Sequence, residues 1–543
     1  MKKYLLLLGM LSTFLLSAQS GKISGGLESY LQYYQNDVTT NFTAPKDKLR
    51  SMNYFNLQYV YKDFSGGLQY EAFLPSAFLG YNPDFKDNAL ATYFFNYKKK
   101  NLDITAGYFY DQFGSGLVMR AWEDKQLGIN NAIRGLRVKY NFDDILDLTA
   151  FMGNQRIGFE LSKSSLYGTN AELDMTKLMS LKKWRLRSGF SYVARYQDIT
   201  SVNENLKPII GTYSSRFDID AGSFYSNFEY VYKEPDARSA NAVLLDEVLF
   251  DGNAWLWNLG YSKKGIGVNA VLRRLENIQM YAEKNLEGNL YNTGVMNFVP
   301  GLTKQHDFSL ANIYVYQAQP GISFGEEKVG EIGGQFDIYY KVKRKTFLGG
   351  KYGAKLAFNY ARWHGLDATF NHQKQYYRAS FVKPGKLYFQ DINFEIRKKL
   401  SKNIKTIISF IDIQYNKLKL EGEGDMVHAD IAVLDLEYKL PKKRSARLEM
   451  QHLFTKQDMK NWVAGLFEFN FNHNFNIFVA DMYNYGNETE KIHYYNLGTT
   501  YTKSSSRLSL SYGRQRGGLL CVGGVCRYVP PSKGVTFSFT TSF

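Results

Sequence analysis

The densest group of chemically capable side chains in this 543-residue chain lies between Gly114 and Val138, in the stretch GSGLVMRAWEDKQLGINNAIRGLRV. Arg120, Glu123, Asp124, Lys125, Arg134 and Arg137 crowd there. Acids and bases so interleaved suit ion pairs lining a constriction, or a plain solvated loop, and the spacing alone leaves both open. Catalysis has less support. The seven histidines are scattered, and only His364 and His372 lie near each other, at a spacing that matches no helical or tight-turn metal motif. No nucleophile elbow and no glycine-rich phosphate loop is present. A lipid hydrolase would need a Ser, a His and an orienting partner to meet on one wall, which linear spacing does not indicate. The expectation is a protein that is not an enzyme, with no catalytic residue, no cofactor and no metal.

The elements that must position these charges are set by the compartment and by the periodicity. Lys2 and Lys3 precede an apolar run from Tyr4 to Leu16, followed by Ser17-Ala18-Gln19, the order of a secretory signal peptide. Residues 1–19 are therefore expected to be removed. The run is too short for a membrane-spanning helix, which needs about 20 apolar residues, and no Cys follows Ala18 to carry a lipid. No comparable run occurs later, yet aromatics make up 16% of the chain. Abundant apolar residues without apolar runs mean amphipathic strands. From Trp184 to Tyr196, Trp184, Leu186, Phe190, Tyr192 and Tyr196 alternate with Arg185, Arg187, Ser191 and Arg195. Phe224 to Lys233 and Phe467 to Asn472 alternate likewise.

Both a sandwich and a barrel would use such strands, and the connections decide between them. Short ones (Lys98 to Asn101, Asn141 to Asp144, Ser262 to Gly265, Pro441 to Ser445, Lys503 to Ser506) interleave with long ones (Asn36 to Arg50, Glu234 to Gly252, Trp363 to Gly385, Arg514 to Lys533). That sorting belongs to an outer-membrane barrel, with short turns on one side and long loops on the other. The last strand, GVTFSFTTSF, sets Phe537, Phe539 and the terminal Phe543 on one face, resembling the signal that barrels present to their insertion machinery.

A barrel with both termini on one side needs an even strand number; about 25 segments alternate, so one is surplus. Tracing inward from both ends places the surplus at Asp307 to Tyr316, within a long loop. The fold expected is all-β: a single large antiparallel transmembrane outer-membrane β-barrel over residues 20–543, of about 24 strands within roughly 20 to 26, without a plug domain.

Formal charge is +16, and without Lys2 and Lys3 there remain 65 basic and 51 acidic residues, or +14. Many cations sit in short turns, such as Lys98 to Lys100 and Lys442 to Arg444, where solvent or anionic headgroups are natural neighbours and nucleic acid is not. Others, namely Arg137, Lys139, Arg185, Arg187, Arg195, Arg273 and Lys355, alternate with lipid-type residues and should point into the lumen. One-sign lumen charge favours solutes of the other sign, although Asp147, Glu229 and Glu449 also point inward, so a merely hydrogen-bonded interior stays open. Finally, Cys521 and Cys526 flank Val522-Gly523-Gly524-Val525. Gly-Gly fits a two-residue hairpin turn, which sets the cysteines opposite each other with Cα atoms about 4.5 to 5.5 Å apart, within disulfide range. An exported chain with two cysteines at one loop tip is expected to pair them as a local staple.

Three stretches are similar to a family of Bacteroidota outer-membrane barrels, the domain-of-unknown-function family numbered 6029. They are YDQFGSGLVMRAWEDKQLGINNAIRGLRVKY at Tyr110 to Tyr140, LGGKYGAKLAFNY at Leu348 to Tyr360, and CVGGVCRYVP at Cys521 to Pro530. The resemblance implies location and fold and supplies no activity or binding residue. Two functional expectations follow from the whole chain. One is a porin-like channel for small polar or anionic solutes with a basic lumen. The other is a structural or assembly component of an envelope complex, whose loops carrying Trp122, Trp363 and Trp462 touch other proteins. Expected partners are outer-membrane lipid, the insertion machinery through the C-terminal strand, and envelope proteins, with no nucleic acid.

Overall fold

Period-two alternation becomes a strand because successive side chains leave the backbone on opposite faces. In Arg185–Tyr196, Phe190 and Tyr196 stand 52% and 41% exposed on the outside, while Ser191, Val193 and Arg195 are buried inside. The computed structural model describes residues 21–240 and 243–543. The expected signal peptide, 1–19, lies outside the described residues.

Every strand of the wall runs antiparallel to its neighbours, and the sheet closes on itself: Lys22–Tyr34 pairs with Leu49–Tyr61 on one side and with the last strand, Ser532–Ser542, on the other. Closure removes the unpaired edge that an open sheet would offer to other chains. The sheet contains 25 pieces, one of which, Glu160–Leu161, is a two-residue arm folded back on Leu146–Ile157; the other 24 form the wall. The chain is thus a closed 24-strand antiparallel β-barrel. Asp307 to Tyr316 contains no strand, only the 3-10 turn Leu310–Asn312, as the parity argument requires. No helix among the described residues is long and apolar enough to cross a membrane.

Connections separate by end. At what we call the turn end, two residues join Leu49–Tyr61 to Phe64–Ser76, Lys86–Lys99 to Leu102–Phe109, Val243–Lys263 to Ile266–Glu276, and His493–Lys503 to Ser506–Gln515. At the loop end, residues 110–132, 277–329 and 516–531 intervene between wall strands. Two expected long loops are corrected here. Glu234 to Gly252 and Trp363 to Gly385 are instead the upper arms of tall hairpins, Phe224–Ala240 with Val243–Lys263 and Ala354–Asn371 with Tyr376–Lys399. Pro235 and Pro384 break the alternating pattern in sequence, but each sits at a register shift, where a strand tolerates proline. The hairpins are tied to each other and to the 277–329 segment by Phe250, Leu366 and Tyr377 packing with Phe324 and Val329.

The outer wall is apolar: Leu136, Phe217, Phe394, Phe410, Phe467 and Val479 are all at least 40% exposed there. An exposed apolar band this extensive is unfavourable in water and suits a hydrocarbon surround. The packed core lies inside the barrel, where loops meet inward-facing strand residues.

Candidate functional site in the barrel lumen

Two loop-end segments fold down into the lumen and obstruct it at mid-height. In the first, Gly114, Gly116 and Gly128 take φ of +55°, +94° and +71°, and this left-handed backbone turns the chain back between the strands. Phe113, Leu117, Val118 and Met119 are buried to 2% exposure or less against inward residues of several strands, among them Phe151, Val193, Val231 and Leu275. The Ser115 N–H donates to the Glu229 carboxylate at 3.0 Å. Of the two orientations left open by the sequence, the inward one is found.

The second segment, residues 277–329, crosses the lumen from wall to wall. Its ends meet, with the Ile278 N–H donating to the Pro320 carbonyl at 2.8 Å. Between them, the Tyr281 carbonyl accepts from Arg195, the Pro300 carbonyl accepts from Arg273 at 2.7 Å, and Lys304 Nζ donates to Asn393 at 2.9 Å. The Trp363 indole donates to the Leu302 carbonyl at 3.0 Å, and the Leu310 N–H donates to Gln451 at 2.9 Å. The two segments touch through Arg120, whose guanidinium lies 4.0 Å from the Phe298 ring centroid and 4.6 Å from that of Trp122. Burial holds the Arg120 pKa below its ordinary value.

The charged residues expected to form one constriction are distributed differently. Lys125 Nζ reaches Glu28 at 2.5 Å and lies over the Tyr54 ring, while Glu123 accepts from Gln69 and Asn130. Burial, with the Glu71 carboxylate nearby, raises the Glu123 pKa against the pull of Gln69 and Lys125. Asp124 accepts the Leu127 N–H and so shapes its own turn. Arg137 and Lys139 do line the wall, but both pair with Asp111, and Arg137 also with Asp103. The expected pairing of the loop charges with Arg134 and Arg137 therefore does not occur. Arg134 is a correction of direction: it lies three residues from Arg137 in Ile133–Phe142, so period two sets the pair on opposite faces, and Arg134 is exposed on the outer one. Arg195 is buried on Asp236 at 3.0 Å; Arg185 and Arg187 lie on the same face near the turn end and are exposed.

Sequence reading missed the partners that neutralise this interior. Arg156 binds Glu71 through two bonds of 2.5 and 3.0 Å, Arg216 binds Glu172 at 2.6 Å, and Arg273 binds Glu331 at 2.6 Å. Lys284, from the second segment, joins Arg195 on Asp236 at 2.8 Å, and burial lowers its pKa. Tyr316 donates to Glu331 at 2.5 Å, and burial beside that carboxylate raises its phenol pKa. The lumen is thus not a ring of one sign at mid-height. Inward parity was the available signal for Arg216 and Glu331; the pairings themselves cross strands far apart in sequence.

The disulfide Cys521–Cys526 closes the hairpin Gly518–Val522 with Val525–Val529, Val522 opposite Val525 and the Cα atoms of the cysteines 4.0 Å apart. This hairpin caps both lumen segments. The Gly301 N–H donates to the Gly524 carbonyl at 2.7 Å, Asn292 donates to the Cys526 carbonyl, and Arg527 donates to the Gln126 carbonyl at 2.6 Å. In the final strand, Phe543 bonds back to Gly25 through both backbone groups at 3.0 Å. Phe537 and Phe539 stand opposite Leu510 and Leu508 of the preceding wall strand. Among the described residues, no group of three or more His, Cys, Asp or Glu is placed to hold a metal ion.

A family model described as a family of unknown function, DUF6029, matches residues 1–543. No curated protein matches the chain. Among solved structures, the P pilus usher PapC translocation pore is similar at 8% identity and a TM-score of 0.43, over 96% of this chain and 99% of that one. The siderophore receptor PirA from Pseudomonas aeruginosa is similar at 8% identity and a TM-score of 0.41, over 96% of this chain and 80% of that one. The outer membrane protein opdK from Pseudomonas aeruginosa is similar at 8% identity and a TM-score of 0.38, over 97% and 99%.

Proposed function

This chain belongs to the family of unknown function DUF6029, and from that footing we propose that it works in the outer membrane as a gated passage for small polar solutes, not as an enzyme. The observation that carries the reading is the 277–329 segment. It obstructs the lumen, yet its ends lie side by side, so it could leave the lumen while the wall strands stay paired. Its polar anchors to the wall are side-chain hydrogen bonds and ion pairs, about 1.5–3 kcal/mol each where a charged group takes part, and none of them is a rung of the strand ladder, so release leaves the wall paired. Loop motions of this kind fall in the microsecond-to-second range. Mid-height neutralisation argues for polar solutes in general there, with any preference for anions arising nearer the turn end. Export by a cleaved signal peptide, insertion through the C-terminal strand and a Bacteroidota source belong to the same proposal.

Planar-bilayer recording tests it. Replacing residues 281–317 by a short Gly-Ser bridge should raise single-channel conductance several-fold over the intact chain, with heat-modifiable gel mobility reporting a folded barrel. If the folded, excised barrel conducts no better than the intact one, the passage reading fails and a purely structural role in an envelope complex takes its place.

A further inference from the structure

At mid-height the lumen matches cation to carboxylate, and at the turn end it stops doing so. Lys341, on Gly330–Val342, stands opposite Lys355, on Ala354–Asn371, and Lys355 stands opposite Arg397, on Tyr376–Lys399. On the next strand pair Lys399 stands opposite Lys405. Like charges directly opposite on neighbouring strands are destabilising, and here the arrangement runs across four strands. Arg397 is bound to Glu395 and Lys405 to Glu437, whereas Lys341 and Lys355 have no ion pair among the described residues.

These residues border a cavity of about 850 Å³ whose lining includes nine Lys or Arg against Asp435 and Glu437, an excess of seven positive charges. Asp435 is already bonded to Arg447, so it offsets little of that excess. The volume is that of an ordinary small-ligand site. One-sign charge within low-dielectric walls focuses the field and concentrates ions of the other sign. Lysine ammonium groups are compact point charges that suit phosphate oxygens approaching from several directions.

We propose that this turn-end cavity binds a phosphate-bearing anion, held by Lys341 and Lys355 with Arg397, Lys399 and Lys405 around them. The occupant's charge relieves the cross-strand repulsion that the chain alone leaves standing. The phosphate arrives either on a soluble oligophosphate or on the headgroup of a lipid in the near leaflet. The inference goes beyond the passage reading, because binding here requires no conduction.

The test is titration calorimetry on the folded barrel in neutral detergent, in one arm with inorganic triphosphate and in the other with phosphatidylglycerol in mixed micelles against a phosphatidylcholine blank. Saturable binding is expected in at least one arm; triphosphate alone identifies a soluble anion and phosphatidylglycerol alone a lipid, and either supports the site. Lys341→Gln with Lys355→Gln should weaken it about tenfold or more, the loss of one or two charge-assisted bonds. Lys98→Gln with Lys99→Gln removes the same charge outside the cavity, where both side chains are more than half exposed, and should leave affinity unchanged. No saturable binding in either arm, or equal weakening by the two double variants, overturns the proposal.

Discussion

Arg273 and Lys355 both point into the lumen, yet the barrel treats them in opposite ways. Arg273 is 1% exposed, held by Glu331 and the Pro300 carbonyl, and covered by the crossing segment. Lys355 is exposed to the aqueous mouth with Lys341 and Arg397 on either side. The difference is a matter of dielectric. A charge covered by packed side chains costs several kcal/mol without a partner, and Arg156, Arg195, Arg216 and Arg273 have each found a carboxylate. A charge at the water-filled mouth keeps part of its hydration, so a row of like charges there is tolerated at the cost of a repulsion that salt weakens.

The largest effect should come from breaking a covered pair. Glu331→Ala leaves Arg273 buried without its carboxylate and should destabilise the barrel by about 3–5 kcal/mol, read as a lowered urea midpoint for the loss of heat-modifiable mobility. A fall of under about 1 kcal/mol would mean that water reaches Arg273 and that the two regions differ less than argued. Arg120→Ala comes next. It removes a guanidinium stacked on Trp122 and Phe298, worth about 1–2 kcal/mol of contact between the lumen segments, so brief openings in bilayer recordings should become more frequent. Unchanged conductance would show that this contact does not hold the lumen closed. Lys355→Gln should act in the opposite direction and more weakly, stabilising by about 0.2–1 kcal/mol at low salt because it removes a like-charge neighbour.

The smallest effect concerns pH. Glu123 has a pKa raised by burial, so protonation favours the docked loop. That contribution is fully present below the ordinary glutamate pKa and is lost as pH rises through the raised one. Protease protection of residues 114–131 should therefore be greater at pH 4 than at pH 7, and Glu123→Gln should flatten the difference. Equal protection of the intact chain at both pH values would count against a covered Glu123.

Much of the fold was legible because its cause is local. Alternation in Arg185–Tyr196 fixes two faces, turn spacing fixes strand length, and the parity of a closed barrel removes one surplus segment. The upper hairpin arms are not legible as strands because Pro235 and Pro384 interrupt their alternation, and only the observed register shifts show how the ladder absorbs them. Of the candidate site, Arg137, Lys139 and Arg195 could be assigned to the lumen from their own strands. Arg134 was misassigned by proximity in sequence, where period two would have set it outside.

By itself the sequence determined an antiparallel barrel of about this size, an apolar outer face, a cysteine hairpin and a loop rich in charge, since each depends on residues within a few positions of one another. Which way that loop points, and which acid meets each arginine, was decided only by tertiary structure. Glu71 meets Arg156, and Asp236 meets both Arg195 and Lys284, through closure of the wall and through loops descending into it. No local pattern encodes such meetings, because the energy that selects them is the cost of a charge left uncovered once the whole wall has closed.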